Sequence, residues 1–380
     1  MSRPLSEPPD WSIDDRPELR EARAAAPTQR MRAAAAPAAR AYDLEPAERR
    51  IAGERAARRA MAKRVMPFGI SFLDDALGAL LPHDVVLLTA RSGAGKTELA
   101  SMISENAARR GRRVLMIALE AEARELERRI KYRMLVQEFW RGGYSLGDAN
   151  LSYRDWYMFR LDHVLGPLED EIDQRFARDI GSNLTTVYRG EEFTEQDLSR
   201  VVESTHQDFD MCVLDHLHYV DSDERDENHA LKQLTKRIRD LALLVAKPFV
   251  VVVHVRKADA RAGRFKPLMP TLEDIHGASD VTRMATRAVA IGPAGFDPDK
   301  WWMRPTFMKI LKDRPGGGLA EYWVAKVDFD ARSGSYADQY ELGRIGMGKT
   351  GEEWFRVTKA PSWAKGCAHL SKQEPLAVVT

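Results

Sequence analysis

The stretch Asp84-Val-Val-Leu-Leu-Thr-Ala90 followed by Arg91-Ser92-Gly93-Ala94-Gly95-Lys96-Thr97 decides the fold. A short apolar run bounded by a glycine-rich turn reads as a buried strand, and the turn opens a helical pattern that continues to about Arg110. Strand, glycine turn and helix in this order make a phosphate-binding loop. Gly93 and Gly95 let backbone N–H groups converge on phosphate oxygens, and the helix start adds a partial positive charge. Ser92, Gly93, Ala94, Gly95, Lys96 and Thr97 are the candidate nucleotide-binding residues. Lys96 is expected to reach the β- and γ-phosphates of ATP, and Thr97 to ligate Mg²⁺. The motif departs from its usual form at its first position, Ala90, where glycine is usual.

Outward from the loop, apolar runs alternate with helical patterns. Arg113–Leu119, Thr185–Tyr188, Met211–Leu217, Phe249–Val255 and Arg287–Ile291 read as strands. Helices are expected over Ala121–Val136, Thr194–His206 and Asn228–Ala246. This alternation predicts an α/β fold, a central mostly parallel sheet with helices on both faces. Beyond Pro305 the pattern changes to strands and turns (Thr306–Leu311, Ala320–Phe329, Tyr336–Arg344, Glu353–Val357), which predicts an antiparallel C-terminal extension of the same sheet. Residues 137–184, with Phe139, Trp140, Trp156, Tyr157 and Phe159, read as a helical insertion packing its own aromatics.

Two carboxylates end strands beside the loop. Asp215 closes the run Met211-Cys-Val-Leu214 and could hold the water shell of Mg²⁺. Glu120 closes Val114-Leu-Met-Ile-Ala-Leu119 and could orient and deprotonate an attacking water.

The chain divides into an arm (1–42), a basic linker helix (43–66) and an ATPase domain (67–380). The arm is acidic at its start (Glu7, Asp10, Asp14, Asp15, Glu18, Glu21) and then rich in Ala, Arg and Pro, with little to bury. The linker helix is expected to begin at Asp43 and run to Arg64. It carries Arg49, Arg50, Arg55, Arg58, Arg59, Lys63 and Arg64 on an alanine scaffold with a thin apolar face, so it needs a partner surface. The 380 residues hold 58 Lys+Arg against 57 Asp+Glu, a net charge of +1 that by itself points to no nucleic-acid partner. With no apolar run of membrane-spanning length, no apolar signal region near Met1 and only Cys212 and Cys367, the expectation is a cytoplasmic protein without membrane contact.

The combination of stretches resembles the RecA-like P-loop ATPase domain of hexameric replicative helicases, of the DnaB type and the smaller plasmid RepA type. Phe68-Gly-Ile-Ser-Phe-Leu-Asp74, Ala118-Leu-Glu120, Leu214-Asp-His-Leu-His218, Pro248-Phe-Val-Val-Val-Val-His-Val-Arg256, His276-Gly-Ala-Ser279 and Lys312-Asp-Arg314 carry it, over roughly residues 67–330. The resemblance implies a homo-hexameric ring that hydrolyses ATP with Mg²⁺ and moves on single-stranded DNA in replication. It implies Glu120 as catalytic base, Asp215 on Mg²⁺, and Arg314, with Lys312 beside it, acting on the neighbouring subunit's ATP. His218 would be the sensor between γ-phosphate and DNA. It stands where the family usually has Gln, as does His254; a histidine can donate one hydrogen bond as Gln does. His216, His218 and Asp221 could together ligate a separate metal, but the sensor position of His218 argues against one.

Two segments are candidates for DNA. The basic run Arg256–Lys266 contains Arg256, Lys257, Arg261 and Arg264 to meet phosphates and Phe265 to stack a base. His276, Gly277 and Ser279 could give backbone and hydroxyl contacts, or could simply start a helix. Two other functions fit the same residues: a DNA-dependent ATPase serving as loader or recombination accessory without unwinding, and a nucleotide-gated binding module. In each, the arm is suited to recruit a replication partner. Deleting residues 1–42 is therefore expected to leave ATP turnover unchanged while abolishing an interaction. A turnover assay beside a pull-down checks this, and loss of turnover would contradict it.

Overall fold

The computed structural model describes residues 47–144, 150–188, 192–221, 227–255, 269–295, 297–347 and 353–368. Its strands, in chain order, are β1 (Val85–Ala90), β2 (Val114–Ala118), β3 (Leu184–Tyr188), β4 (Met211–Asp215), β5 (Phe249–His254), β6 (Arg287–Pro293), β7 (Met303–Asp313), β8 (Val324–Asp330), β9 (Ser335–Met347) and β10 (Glu353–Val357). They form one sheet in the order β10-β9-β8-β7-β6-β1-β5-β4-β2-β3. From β3 to β6 all pairings are parallel, and from β6 to β10 all are antiparallel.

The parallel half is buried on both faces, which is why its strands read as continuous apolar runs. Successive side chains divide between two cores as the pleat requires. Val86, Leu88, Val250 and Val252 pack on one side with the helices Ser71–Leu77, Lys96–Arg109 and Ala123–Arg141. Leu87, Val251 and Val253 pack on the other with Glu195–Ser204, Glu227–Val245 and Ala278–Met284. Each fully buried Val or Leu contributes roughly 1.5–3 kcal/mol.

Several boundaries differ from the sequence expectation. The linker is two helices, Ala47–Ala52 and Glu54–Ala62, parted at Gly53, where a residue without Cβ weakens the helix interior. Glu54–Ala62 buries none of its residues, and Ile51 is 72% exposed. β4 stops at Asp215, and Leu217–Tyr219 forms a 3-10 turn in place of the strand expected to Leu217. Leu319–Tyr322 is likewise a 3-10 turn ahead of β8, following the left-handed glycines Gly317 and Gly318. In the insertion, Phe139 is buried and Tyr153 and Trp156 pack on each other and on Tyr132 just ahead of it, whereas Trp140, Tyr157 and Phe159 are exposed.

The helix Ala123–Arg141, which leads into the insertion, is tied to the phosphate-loop helix by a buried cation. Arg133 pairs with Glu98 and Glu105 and donates from Nε to the Gly334 carbonyl at 2.9 Å. Removing one partner of a buried pair leaves the rest uncompensated. Arg133→Ala is expected to lower stability by about 3 kcal/mol, read as a shift in the urea midpoint; a change below about 1 kcal/mol would show that solvent already screens the group.

Candidate nucleotide-hydrolysis site

Parallel strands all present their carboxyl ends at one edge of the sheet, and the candidate residues collect there. Register places Ala90 beside His254, and Ala118 beside Asp215. The loop leaves β1 after Ala90 and enters the helix at Lys96, with Gly93 at φ 77° and Gly95 at φ 89°, conformations that glycine adopts without strain. Lys96 is nearly buried and donates from Nζ to the carbonyls of Ala90 (3.2 Å) and Arg91 (3.4 Å). Burial holds its pKa below the usual lysine value, opposed by Glu120 and Asp215.

Asp215 is 1% exposed. Neither of its carboxylate oxygens has a well-aligned hydrogen-bond donor among the described residues. Burial pushes its pKa up to about 6; the Thr97 hydroxyl and Lys96 draw it down, and Glu120 adds to the rise. A buried carboxylate with unfilled oxygens beside a hydroxyl at a helix start fits Mg²⁺ with its water shell, a hard cation that takes oxygen ligands. Thr97 and Asp215 are the residues that would hold it.

Glu120 is exposed, and its Oε2 lies 3.4 Å from His216 Nε2. His216 Nε2 is in turn 2.6 Å from His254 Nε2. His218 instead lies toward the candidate DNA segment, its ring centroid 5.0 Å from that of His276 and 5.8 Å from that of His254. Neither ring nitrogen of His218 has a well-aligned partner among the described residues. Burial, aided by neighbouring histidines, lowers His216 to about 3 and His218 to about 4, so both are neutral near pH 7. Asp221 accepts from the Phe193 amide at 2.8 Å.

Beside the loop is a cavity of about 330 Å³ lined by Gly93, Gly95, Pro293, Arg304, Phe329 and Tyr336, among others. Its aromatic and cationic walls suit a nucleotide base. Arg304, Phe329 and Tyr336 come from β7, β8 and β9, and no sequence signal marks them, because only folding of the antiparallel extension brings them to the loop.

Lys312 and Arg314 lie elsewhere. β7 runs antiparallel to β6, so Lys312 pairs with Ala288 and Asp313 with Arg287, at the edge where the parallel strands begin. Val86 shares the level of Arg287, and Ala90 that of Ile291. Four residues at ~3.3 Å each put Arg314 about 13 Å or more along the strands from its own phosphate loop. There Lys312 Nζ donates to the Thr282 carbonyl (2.7 Å) and Arg314 Nη2 to the Arg283 carbonyl (3.4 Å).

His276 and Gly277 adjoin the phosphate edge: the His276 amide donates to the His254 carbonyl at 3.1 Å. Gly277 sits at φ 69° as the N-cap of Ala278–Met284, and a Cβ there would meet Leu231 Cδ2 at 2.1 Å. Ser279 is in that helix, so the segment starts a helix, as the sequence allowed. Arg256, Lys257, Arg261 and Arg264 lie outside the described residues.

A family model, the DnaB-like helicase C-terminal domain, matches residues 66–317. The chain belongs to this family. No curated protein matches it in sequence. Among solved structures it is similar to an ATPase domain, with a TM-score of 0.61 and 14% identity, covering 78% of this chain and 99% of that one. It is also similar to a DnaB-like replicative helicase whose structure was described with its interactions with primase, with a TM-score of 0.58 and 13% identity, covering 78% of this chain and 67% of that one. Identities this low show a shared RecA-like fold. The family establishes a P-loop NTPase of the replicative helicase type. No described helix is long and apolar enough to cross a membrane.

The raised pKa of Asp215 fixes the sign of a pH effect. Its folded value, about 6, lies above the ordinary aspartate value of 3.8. Between those values the unfolded chain has lost the proton and the folded chain keeps it, so the stability of the ligand-free protein falls as pH rises through this window. Asp215→Asn is therefore expected to raise the denaturation midpoint at pH 7.5 and change it little at pH 4. A lower midpoint at pH 7.5 would mean the carboxylate is better satisfied than its surroundings indicate.

Proposed function

We propose that the protein is an ATP-driven, ring-forming motor that moves on single-stranded DNA in replication, hydrolysing ATP at the interfaces between subunits of a homo-hexamer. The observation that carries this is the separation of Lys312 and Arg314 from the phosphate loop of the same chain. An arginine at the opposite edge of the sheet cannot reach its own nucleotide, so the site is completed by a second copy whose edge abuts the first. The exposed linker helices suit such an assembly, since they bury little against their own chain.

In this mechanism the loop amides and Lys96 bind the phosphates. Glu120 accepts a proton from the water as its oxygen bonds to the γ-phosphorus and the bond to the bridging oxygen of ADP breaks. Thr97 and Asp215 would hold Mg²⁺, which when bound would supply positive charge against the phosphate oxygens. The neighbour's Arg314 stabilises the developing charge, an effect worth roughly 10³–10⁵ in rate. His218, packed on His276, links the hydrolysis edge to the segment proposed to touch DNA.

Lys96→Ala is expected to abolish ATP turnover with the circular-dichroism spectrum intact; turnover at the unaltered rate would sink the proposal. Arg314→Ala and Glu120→Ala subunits are each expected to be inactive alone and to regain part of the activity when mixed, because some mixed interfaces then hold an intact Glu120 and an intact Arg314. A mixture as inactive as its components counts against a finger supplied by the neighbour.

A further inference from the structure

Glu120, His216 and His254 each bring one ligating atom within 4.8 Å of the others, a grouping that at first suggests a metal site. The hydrogen bonds exclude it. The backbone N–H of His218 points at His216 Nδ1 at 3.2 Å. An amide can only donate, so that Nδ1 carries no proton, and the neutral imidazole must carry its proton on Nε2. That is the nitrogen facing both neighbours, 2.6 Å from His254 Nε2 and 3.4 Å from Glu120 Oε2. A metal would need this nitrogen bare, and a metal-bound histidine donates its other N–H, whereas Nδ1 here accepts.

The same reasoning passes to the next ring. His216 Nε2–H donates to His254 Nε2, so His254 accepts there and holds its own proton on Nδ1. The donor end of His254 is thereby set by a residue on another strand end. His216 is 1% exposed, with its ring against Tyr219 (centroids 4.3 Å apart) and His254 (4.0 Å), so its orientation is locked by packing. Glu120 is exposed, and its Oε2 lies 3.4 Å from His216 Nε2, the nitrogen that faces His254.

We propose that His216 is a positioning residue for hydrolysis: relayed from the His218 amide, its Nε2–H fixes His254 in the Nδ1–H form at the edge that carries Glu120. The kinetic part of this role rests on the proposed hydrolase function; the tautomer part does not. The first test is long-range ¹H–¹⁵N correlation of ¹⁵N-histidine-labelled, ligand-free protein, with signals assigned through His254→Asn and His216→Asn. His216 is expected as the Nε2–H form and His254 as the Nδ1–H form, and the His254 signals are expected to move to a mixture of forms in His216→Asn. A His254 protonated on Nε2, or unaffected by loss of the His216 ring, overturns the proposal.

The second test is kinetic. His216→Asn keeps an acceptor near Nδ1 but loses the far donor, and is expected to lower kcat by up to about 100-fold at little-changed KM. His216→Gln places an N–H near the position of Nε2 and is expected to recover most of kcat. Equal losses in both variants, or an unchanged kcat in His216→Asn, overturn the positioning role. Absence of turnover in the unaltered protein with ATP, Mg²⁺ and single-stranded DNA would instead overturn the hydrolase function, and the tautomer measurement would still decide the bridge.

Discussion

A parallel strand hydrogen-bonded on both sides and buried on both faces must leave the sheet through a loop at its carboxyl end, and β1 is such a strand. Its neighbours run the same way, so their ends arrive at the same edge. Lys96, Glu120, Asp215, His216 and His254 all owe their meeting to this constraint. Each belongs to a strand end, to the turn just beyond one or, for Lys96, to the start of the helix that follows. The helices that cover the two faces complete the two cores in which these strands are buried.

That edge is electrostatically unfinished in the isolated chain. Lys96 folds back on carbonyls of its own loop, Asp215 is buried with unfilled oxygens, and His216 and His218 are kept neutral by burial. Groups in this condition favour a ligand that brings both anionic oxygens for the lysine and a cation for the carboxylate. The opposite edge carries Lys312 and Arg314, resting on carbonyls of the helix Ala278–Met284 and its end. These two cations thus lie at the edge of the sheet opposite the phosphate loop.

Much of the site could be read from residue order. Asp215 and Glu120 stand out because each follows a continuous apolar run, and such runs end at a common edge in a parallel sheet. The near-zero net charge concealed these features, since charges of opposite sign are segregated to different edges and segments. The contact of His216 with His254 could not be read, because the expected strand to Leu217 would have placed His216 and His218 on one face. The chain instead turns after Asp215, sending His216 to Glu120 and His218 to His276. Arg304, Phe329 and Tyr336 were also silent, since an antiparallel extension can register in many ways until it packs.

By itself the sequence determined the α/β class, the phosphate loop and the strand-end carboxylates, because apolar periodicity and glycine spacing are local properties of the chain. Tertiary structure alone decided the walls of the base-sized cavity, the histidine bridge, and the placement of Arg314 on the far edge from its own loop. Those depend on which strands become neighbours and in which direction they run, and that is set by packing between residues far apart in the chain.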